Sequence, residues 1–241
     1  MVSKPIIQVS RSSDSLFLSQ QKYTTDLLKK FGFLQCSSVS KPISPQVETK
    51  STSGTLLDSP TEYPQLVGAL QYLSITRLDI TFDVNLASQY MHAPTTTNFT
   101  AAKRILRYLS STKSHGVTIL ASPYVTLRVY MDSDWTGCPV SRRSTSGYCI
   151  FFGDNLITWS SKKQYLLRDL DINLASPPVA YCDNIAATYL AYSPVMHSRT
   201  KHISIDCHFE REKVALGALK VVHVPTHAQL ADAFIKALFG H

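Results

Sequence analysis

Two periodicities divide the chain. Up to about residue 112, apolar positions recur at helical spacing; from Thr126 they alternate or run continuously, as in strands. Near the N-terminus, Ile6-Ile7-Gln8-Val9 and Leu16-Phe17-Leu18 flank the turn-rich Ser12-Ser13-Asp14, which predicts a β-hairpin. Ser19-Gln20 then opens a helix with Tyr23, Leu27, Leu28 and Phe31 on one face and Gly32 as its stop. Residues 36–60 are rich in Ser, Thr and Pro without periodicity and read as an exposed linker. Three helices follow. Tyr63-Pro64 starts one with Leu66, Val67, Leu70 and Leu73 inward, and a second runs from Ile80 to Met91. The third is capped by Asn98, with Ala102, Ile105, Leu106 and Leu109 inward and Lys103, Arg104 and Arg107 outward.

Beyond Thr126 the pattern predicts a three-strand meander. Leu127 to Asp132 is followed by Gly147 to Phe152, then by Asn155 to Trp159 after the hairpin signal Gly153-Asp154. A short helix at Tyr165–Leu174, a strand at Val179–Asp183 and a helix capped by Asn184 come next. A helix at Ile203–Leu216 stopped by Gly217, a strand at Leu219–Val224 and a last helix at Ala228–Leu238 complete the pattern.

A length of 241 residues fits one large domain or two small ones, and 44% hydrophobic residues suffice for a packed core. No apolar run approaches the ~18 residues of a membrane helix, so no membrane partner is expected. The N-terminus shows no secretory signal pattern. Five cysteines (Cys36, Cys138, Cys149, Cys182, Cys207) form no close pair, which argues against zinc and for a reducing, intracellular setting, cytoplasmic or nuclear. The net charge of +7 suits a polyanionic partner. For Lys103, Arg104 and Arg107, a phosphate-contacting face stands beside the plainer reading of a solvated helix face.

The candidate chemistry lies where strands end in acids. Tyr130-Met131-Asp132-Ser133-Asp134 and Tyr181-Cys182-Asp183 each deliver a carboxylate, and Leu230-Ala231-Asp232 supplies another. Together they predict a divalent-metal site assembled from distant segments. The competing readings are an N-cap for Asp183 and a helix-surface acid for Asp232.

Several ordered phrases carry a family resemblance. They are Tyr130-Met131-Asp132-Ser133-Asp134-Trp135-Thr136-Gly137-Cys138, Arg142-Arg143-Ser144-Thr145-Ser146-Gly147-Tyr148, Trp159-Ser160-Ser161-Lys162-Lys163-Gln164 and Tyr181-Cys182-Asp183-Asn184. Arg199-Thr200-Lys201-His202 and His223-Val224-Pro225-Thr226 before Leu230-Ala231-Asp232 continue the series. Upstream stand Leu66-Val67-Gly68-Ala69-Leu70-Gln71-Tyr72-Leu73 and Arg104-Ile105-Leu106-Arg107-Tyr108-Leu109. From about Ile7 to Leu238 the chain resembles the C-terminal part of the Pol polyprotein of copia-type long-terminal-repeat retrotransposons. The resemblance implies an α/β fold: a ribonuclease H-like mixed sheet with helices, preceded by a small helical region like a reverse-transcriptase thumb or connection. It implies a reverse-transcriptase remnant at 1–35, a linker at 36–60, a helical connection at 61–120 and a ribonuclease H-like domain at 121–241.

For function, the resemblance implies cleavage of the RNA strand of RNA–DNA hybrids with Mg2+ or Mn2+. Asp132, Asp183 and Asp232 would be the catalytic metal ligands, with Asp134 and Asp206 structural or exposed. Hybrid or duplex nucleic acid would be the partner, contacted by Lys103, Arg104, Arg107, Arg142, Arg143, Arg199, Lys201 and His202. His223 and His227 are expected at the surface, near where this fold can carry a product-release histidine.

The chain also departs from the family. It has no Tyr-X-Asp-Asp motif, so polymerase activity is expected to be absent. In the family the Trp-Ser-Ser-Lys strand leads to a polar turn and a long helix that begins Glu-Ala-Glu-Tyr and supplies a catalytic Glu. Here Gln164 runs straight into Tyr165-Leu166-Leu167-Arg168-Asp169-Leu170, so most of that helix is missing. Nuclease activity is therefore expected to be lost or very weak, and a non-catalytic nucleic-acid-binding remnant is the alternative. Leu78 and Ile235 replace the family's usual Pro and Thr.

Overall fold

The computed structural model describes residues 7–42, 54–58, 61–121, 126–134, 145–161, 176–192 and 214–235. The chain is a mixed α/β protein that divides into two units, Met1–Ala121 and Ser122–Ile235.

In the first unit, β1 (Gln8–Arg11) and β2 (Ser15–Ser19) form the expected hairpin, closed where Ser12 N–H donates to Ser15 O at 2.9 Å. Helix α1 (Gln21–Lys30) buries Tyr23, Leu27 and Leu28 and ends at Gly32, whose φ of +75° is a conformation that glycine adopts without a Cβ clash. Helix α2 (Glu62–Leu73) turns Tyr63, Leu66, Val67, Leu70 and Leu73 inward, the i, i+3, i+4, i+7 stripe of an amphipathic helix. A 3-10 turn (Leu78–Ile80) leads into α3 (Thr81–Ser88), and α4 (Thr96–Ser111) adds Ala102, Ile105, Leu106 and Leu109 to the same core. Each fully buried Leu here contributes about 1.5–3 kcal/mol relative to exposure.

Several sequence expectations shift in this unit. The cap of α4 is Thr95, not Asn98. Thr95 Oγ1 accepts from Asn98 N–H at 3.3 Å while Asn98 Oδ1 accepts from Thr95 N–H at 2.9 Å, a reciprocal box three residues apart. The region after α4 is not purely helical: β3 (Gly116–Leu120) pairs antiparallel with β2, from Ser15↔Leu120 to Ser19↔Gly116. Residues 7–35 and 61–120 thus share one sheet and one core. The segment expected as an exposed linker is fastened to the unit where it is described. Leu57 N–H donates to Pro94 O at 3.1 Å, Thr96 N–H to Thr55 O at 2.9 Å, and Leu57 packs against the core.

A buried ionic cluster ties the turn before α3 to the end of α4. Arg77, 2% exposed, donates from Nε and Nη2 to the two oxygens of Asp79 (2.9 and 2.7 Å) and from Nη1 to Thr112 O at 2.8 Å. Tyr108 OH donates to Asp79 Oδ2 at 2.8 Å. Burial alone would raise the Asp79 pKa, but the Arg77 hydrogen bonds and charge, helped by Tyr108, hold it below its usual 3.8.

The second unit is built on a five-stranded mixed sheet. Strands β4 (Leu127–Asp134), β5 (Thr145–Phe152) and β6 (Asn155–Ser160) form the antiparallel meander, turned at Gly153 (φ +59°). Strand β7 (Val179–Cys182) lies parallel to β4, and β8 (Lys220–His223) parallel to β7. Helix α5 (Ile185–Tyr192) provides the β7-to-β8 side of the connection, and Tyr192 OH donates to Val221 O at 2.8 Å. Leu127, Val129 and Ile150 form a small core on one sheet face with Met131, Tyr148 and Phe152.

The last helix expected at 228–238 is replaced, over the described residues, by two 3-10 turns, Thr226–Ala228 and Leu230–Phe234. Gln229 between them is extended (φ −81°, ψ 97°), which breaks helical continuity. The expected helix at 165–174, the Gln164-Tyr165 junction and most of the helix at 203–216 lie outside the described residues. No helix among the described residues is long and apolar enough to cross a membrane.

Candidate metal centre

The β4–β7 ladder dictates where two of the acids go. Its parallel register pairs Tyr130 with Tyr181. Asp132 and Asp183 each follow two residues later, so the two-residue pleat carries both to the same face and the same end of adjacent strands. The two tyrosines already show that shared face, with ring centroids 4.7 Å apart and planes at 21°. Asp183 is not the cap of α5: Asn184 Oδ1 accepts from Ala187 N–H at 3.1 Å, which leaves the cap to the next residue.

Asp232 reaches the same place from the second 3-10 turn. That turn sits on β5 over Gly147, the residue directly across the ladder from Asp132. A Cβ on Gly147 would lie 2.7 Å from Ile235 Cγ2, 2.9 Å from Phe234 Cβ and 3.0 Å from Ala231 O. No side chain fits there, so glycine permits the close approach. Gln229, 4% exposed, ties the turn to the strands. Its Nε2 donates to Met131 O at 3.0 Å and Tyr181 O at 3.4 Å, and its Oε1 accepts from Ala231 N–H at 3.2 Å.

One oxygen from each of Asp132, Asp183 and Asp232 lies within 4.8 Å of the others, and all three residues are half-buried. Three carboxylates so close repel by a few kcal/mol per pair at an effective dielectric of about 20. A hard divalent cation with oxygen preference relieves that repulsion, and an all-carboxylate donor set matches Mg2+ or Mn2+. The residues present therefore fit such an ion. Glu62 is the one glutamate among the described residues, and it lies on α2 in the first unit.

The other candidates are placed less simply. Lys103, Arg104 and Arg107 are half-buried on α4, not fully outward. Lys103 Nζ stands 4.0 Å over the Phe99 ring, and Arg107 donates to Ser37 O at 2.9 Å and Ser37 Oγ at 3.0 Å. Arg142, Arg143, Arg199, Lys201 and His202 lie outside the described residues, as does Asp206. His223 and His227 are exposed. Sequence reading passed over Gln229; its one signal was a polar side chain inside the small apolar run Ala228-Gln229-Leu230-Ala231.

A scan against protein-family models finds no match. Similar proteins are nonetheless clear. The retrovirus-related Pol polyprotein from transposon RE2 of Arabidopsis thaliana is 43% identical over 258 residues, covering 96% of this chain and 18% of that protein. The RE1 counterpart from the same plant is 44% identical over the same coverage. The Pol polyprotein from transposon TNT 1-94 of Nicotiana tabacum is 30% identical over 263 residues, 95% of this chain and 20% of that protein. The chain spans about a fifth of these relatives. The aligned stretches exceed its own 241 residues, so the relatives carry residues with no counterpart here. Identity at this level along nearly the whole chain places it in the family of retrovirus-related Pol polyproteins from copia-type transposons.

Proposed function

We propose that this chain is the part of a copia-type Pol polyprotein in which the end of a reverse transcriptase precedes a ribonuclease H-like domain. The ancestral reaction is hydrolysis of the RNA strand of RNA–DNA hybrids. The observation that carries this reading is the meeting of Asp132, Asp183 and Asp232, from three separate segments, at one end of two parallel strands. A pair of Mg2+ or Mn2+ ions, when bound, supplies an activated water and neutralises charge developing at phosphorus. Asp132 would hold the ions from the middle of the site, because its strand lies between β7, which leads to Asp183, and β5, on which the Asp232 turn sits. Asp183 and Asp232 would be the other two ligands.

In this copy cleavage is lost or very weak. The reading places the missing residues between Gln164 and Tyr165, where the family's catalytic Glu would enter on a helix. The excess length of the aligned relatives supports a deletion of that kind. A fourth carboxylate would add to the negative charge available to hold the ions, and loss of one organising ligand costs orders of magnitude in rate. The same deletion favours a second reading, a nucleic-acid-binding remnant without catalysis, which the net charge of +7 also suits.

The test is cleavage of a labelled RNA–DNA hybrid by the native chain, by a chain repaired with a family-like turn and Glu-bearing helix at 164–165, and by the repaired Asp183→Asn variant. The proposal expects cleavage from the repaired chain alone. Robust cleavage by the native chain, lost on Asp183→Asn, would show the helix to be dispensable. Salt-sensitive hybrid binding without cleavage even after repair would leave the binding remnant.

A further inference from the structure

We infer that Gln229 is the positioning residue of the carboxylate trio, holding the Asp232 turn against the strands that carry Asp132 and Asp183. This rests on the metal-centre reading above.

The geometry is specific to one side chain. The parallel register of β4 and β7 runs only to Tyr130↔Tyr181. Just past that point the Gln229 amide spans the strands, donating to Met131 O on β4 and Tyr181 O on β7. Its oxygen accepts from Ala231 N–H. Met131 precedes Asp132, Ala231 precedes Asp232, and Tyr181 stands two residues before Asp183. One buried amide therefore contacts the backbone next to Asp132 and Asp232 and two residues from Asp183. An amide carries two donors and an acceptor on one planar group, whereas a carboxylate has no donor for the two carbonyls and a thioether has no donor and only a weak acceptor. The contacts span 98 and 48 residues of sequence, so they constrain segments that local structure leaves independent. Gly147 completes the seat by letting the turn approach β5 beneath it.

The experiment is a Mn2+ titration of the full chain, read by loss of the free-ion electron paramagnetic resonance signal, with thermal melting as the folding control. Gln229→Met should weaken Mn2+ binding about tenfold or more, the usual scale for groups that orient metal ligands. In an Asp232→Asn background the same substitution should change affinity less than about twofold, because the residue it positions no longer ligates. A merely structural role would give equal losses in both backgrounds and would overturn the inference, as would unchanged affinity in Gln229→Met. Gly147→Ala, which removes no side-chain hydrogen bond, should reproduce the same pattern by lifting the turn; equal losses there count against it too. In the native chain the Gln229 side-chain amide protons should exchange slowly with solvent, and fast exchange refutes the clamp without any variant. If the native chain binds no Mn2+ while those protons are protected, the metal reading fails and the clamp stands as a purely structural contact.

Discussion

The rings of Tyr130 and Tyr181 stack 4.7 Å apart at 21°, each two residues before an aspartate of the candidate centre. The stack locks side chains of the two strands whose ends carry Asp132 and Asp183, and Phe151 meets Tyr130 edge-on at 5.8 Å. A stacked pair contributes about 0.5–1.5 kcal/mol beyond its buried area. A double-mutant cycle of Tyr130→Ala and Tyr181→Ala, followed by urea unfolding, should return a coupling of that size. A coupling near zero would show that the rings do not hold the strands together.

The buried Arg77–Asp79 pair should dominate the stability of the first unit. Removing one partner leaves the other charge buried and uncompensated, so Arg77→Ala should cost about 3–5 kcal/mol. Arg77→Lys should recover little, because a single ammonium cannot reproduce the fork to Asp79 and the contact with Thr112. Both are read from denaturant midpoints.

The same pair sets an acid sensitivity. Since the folded pKa of Asp79 is depressed, its stabilising effect is complete above the ordinary carboxylate value of 3.8 and is lost as pH falls through the lower folded value. Melting temperature should fall below about pH 4, and Asp79→Asn should show a lower but flatter profile there. Identical slopes for the two proteins would remove Asp79 from the explanation.

Cys149 should be inert in the native state. It is 1% exposed, and burial pushes its thiol up to about 12, only partly offset by a backbone hydrogen bond from Tyr130. Thiol-reagent titration at neutral pH should leave it unmodified until the protein is unfolded. Rapid native labelling of Cys149, located by peptide mapping, would contradict the buried position on β5.

Nucleic-acid binding should not depend on Arg107, whose guanidinium is engaged by Ser37. Arg107→Ala should leave the slope of log affinity against log salt nearly unchanged. Arg142→Ala with Arg143→Ala should lower its magnitude by about one for each phosphate that is no longer neutralised. The reverse pattern, measured by fluorescence anisotropy on a labelled hybrid, would return the binding surface to α4.

Local pattern determined most of the elements. The Tyr63, Leu66, Val67, Leu70 and Leu73 stripe can bury itself only as a helix, and the alternating runs around Val129, Ile150 and Thr158 suit only strands. The placement of Asp132 and Asp183 was legible too, because a carboxylate at a strand end keeps its face whatever the rest of the chain does. Other features lay beyond local reading. Gly116–Leu120 becomes a strand only because β2, about a hundred residues earlier, offers an edge. Asn98 and Thr95 are both cap formers, and only the backbone geometry showed that they cap each other. The run from Ala228 to Phe234 has helical composition, yet Gln229 breaks it by bonding to carbonyls 98 and 48 residues away. Short-range propensities of a few tenths of a kcal/mol yield to such contacts, since an amide buried without partners costs about 1–3 kcal/mol. The sequence by itself determined which acids could meet; the tertiary structure alone decided that a glutamine and a glycine bring the third one in.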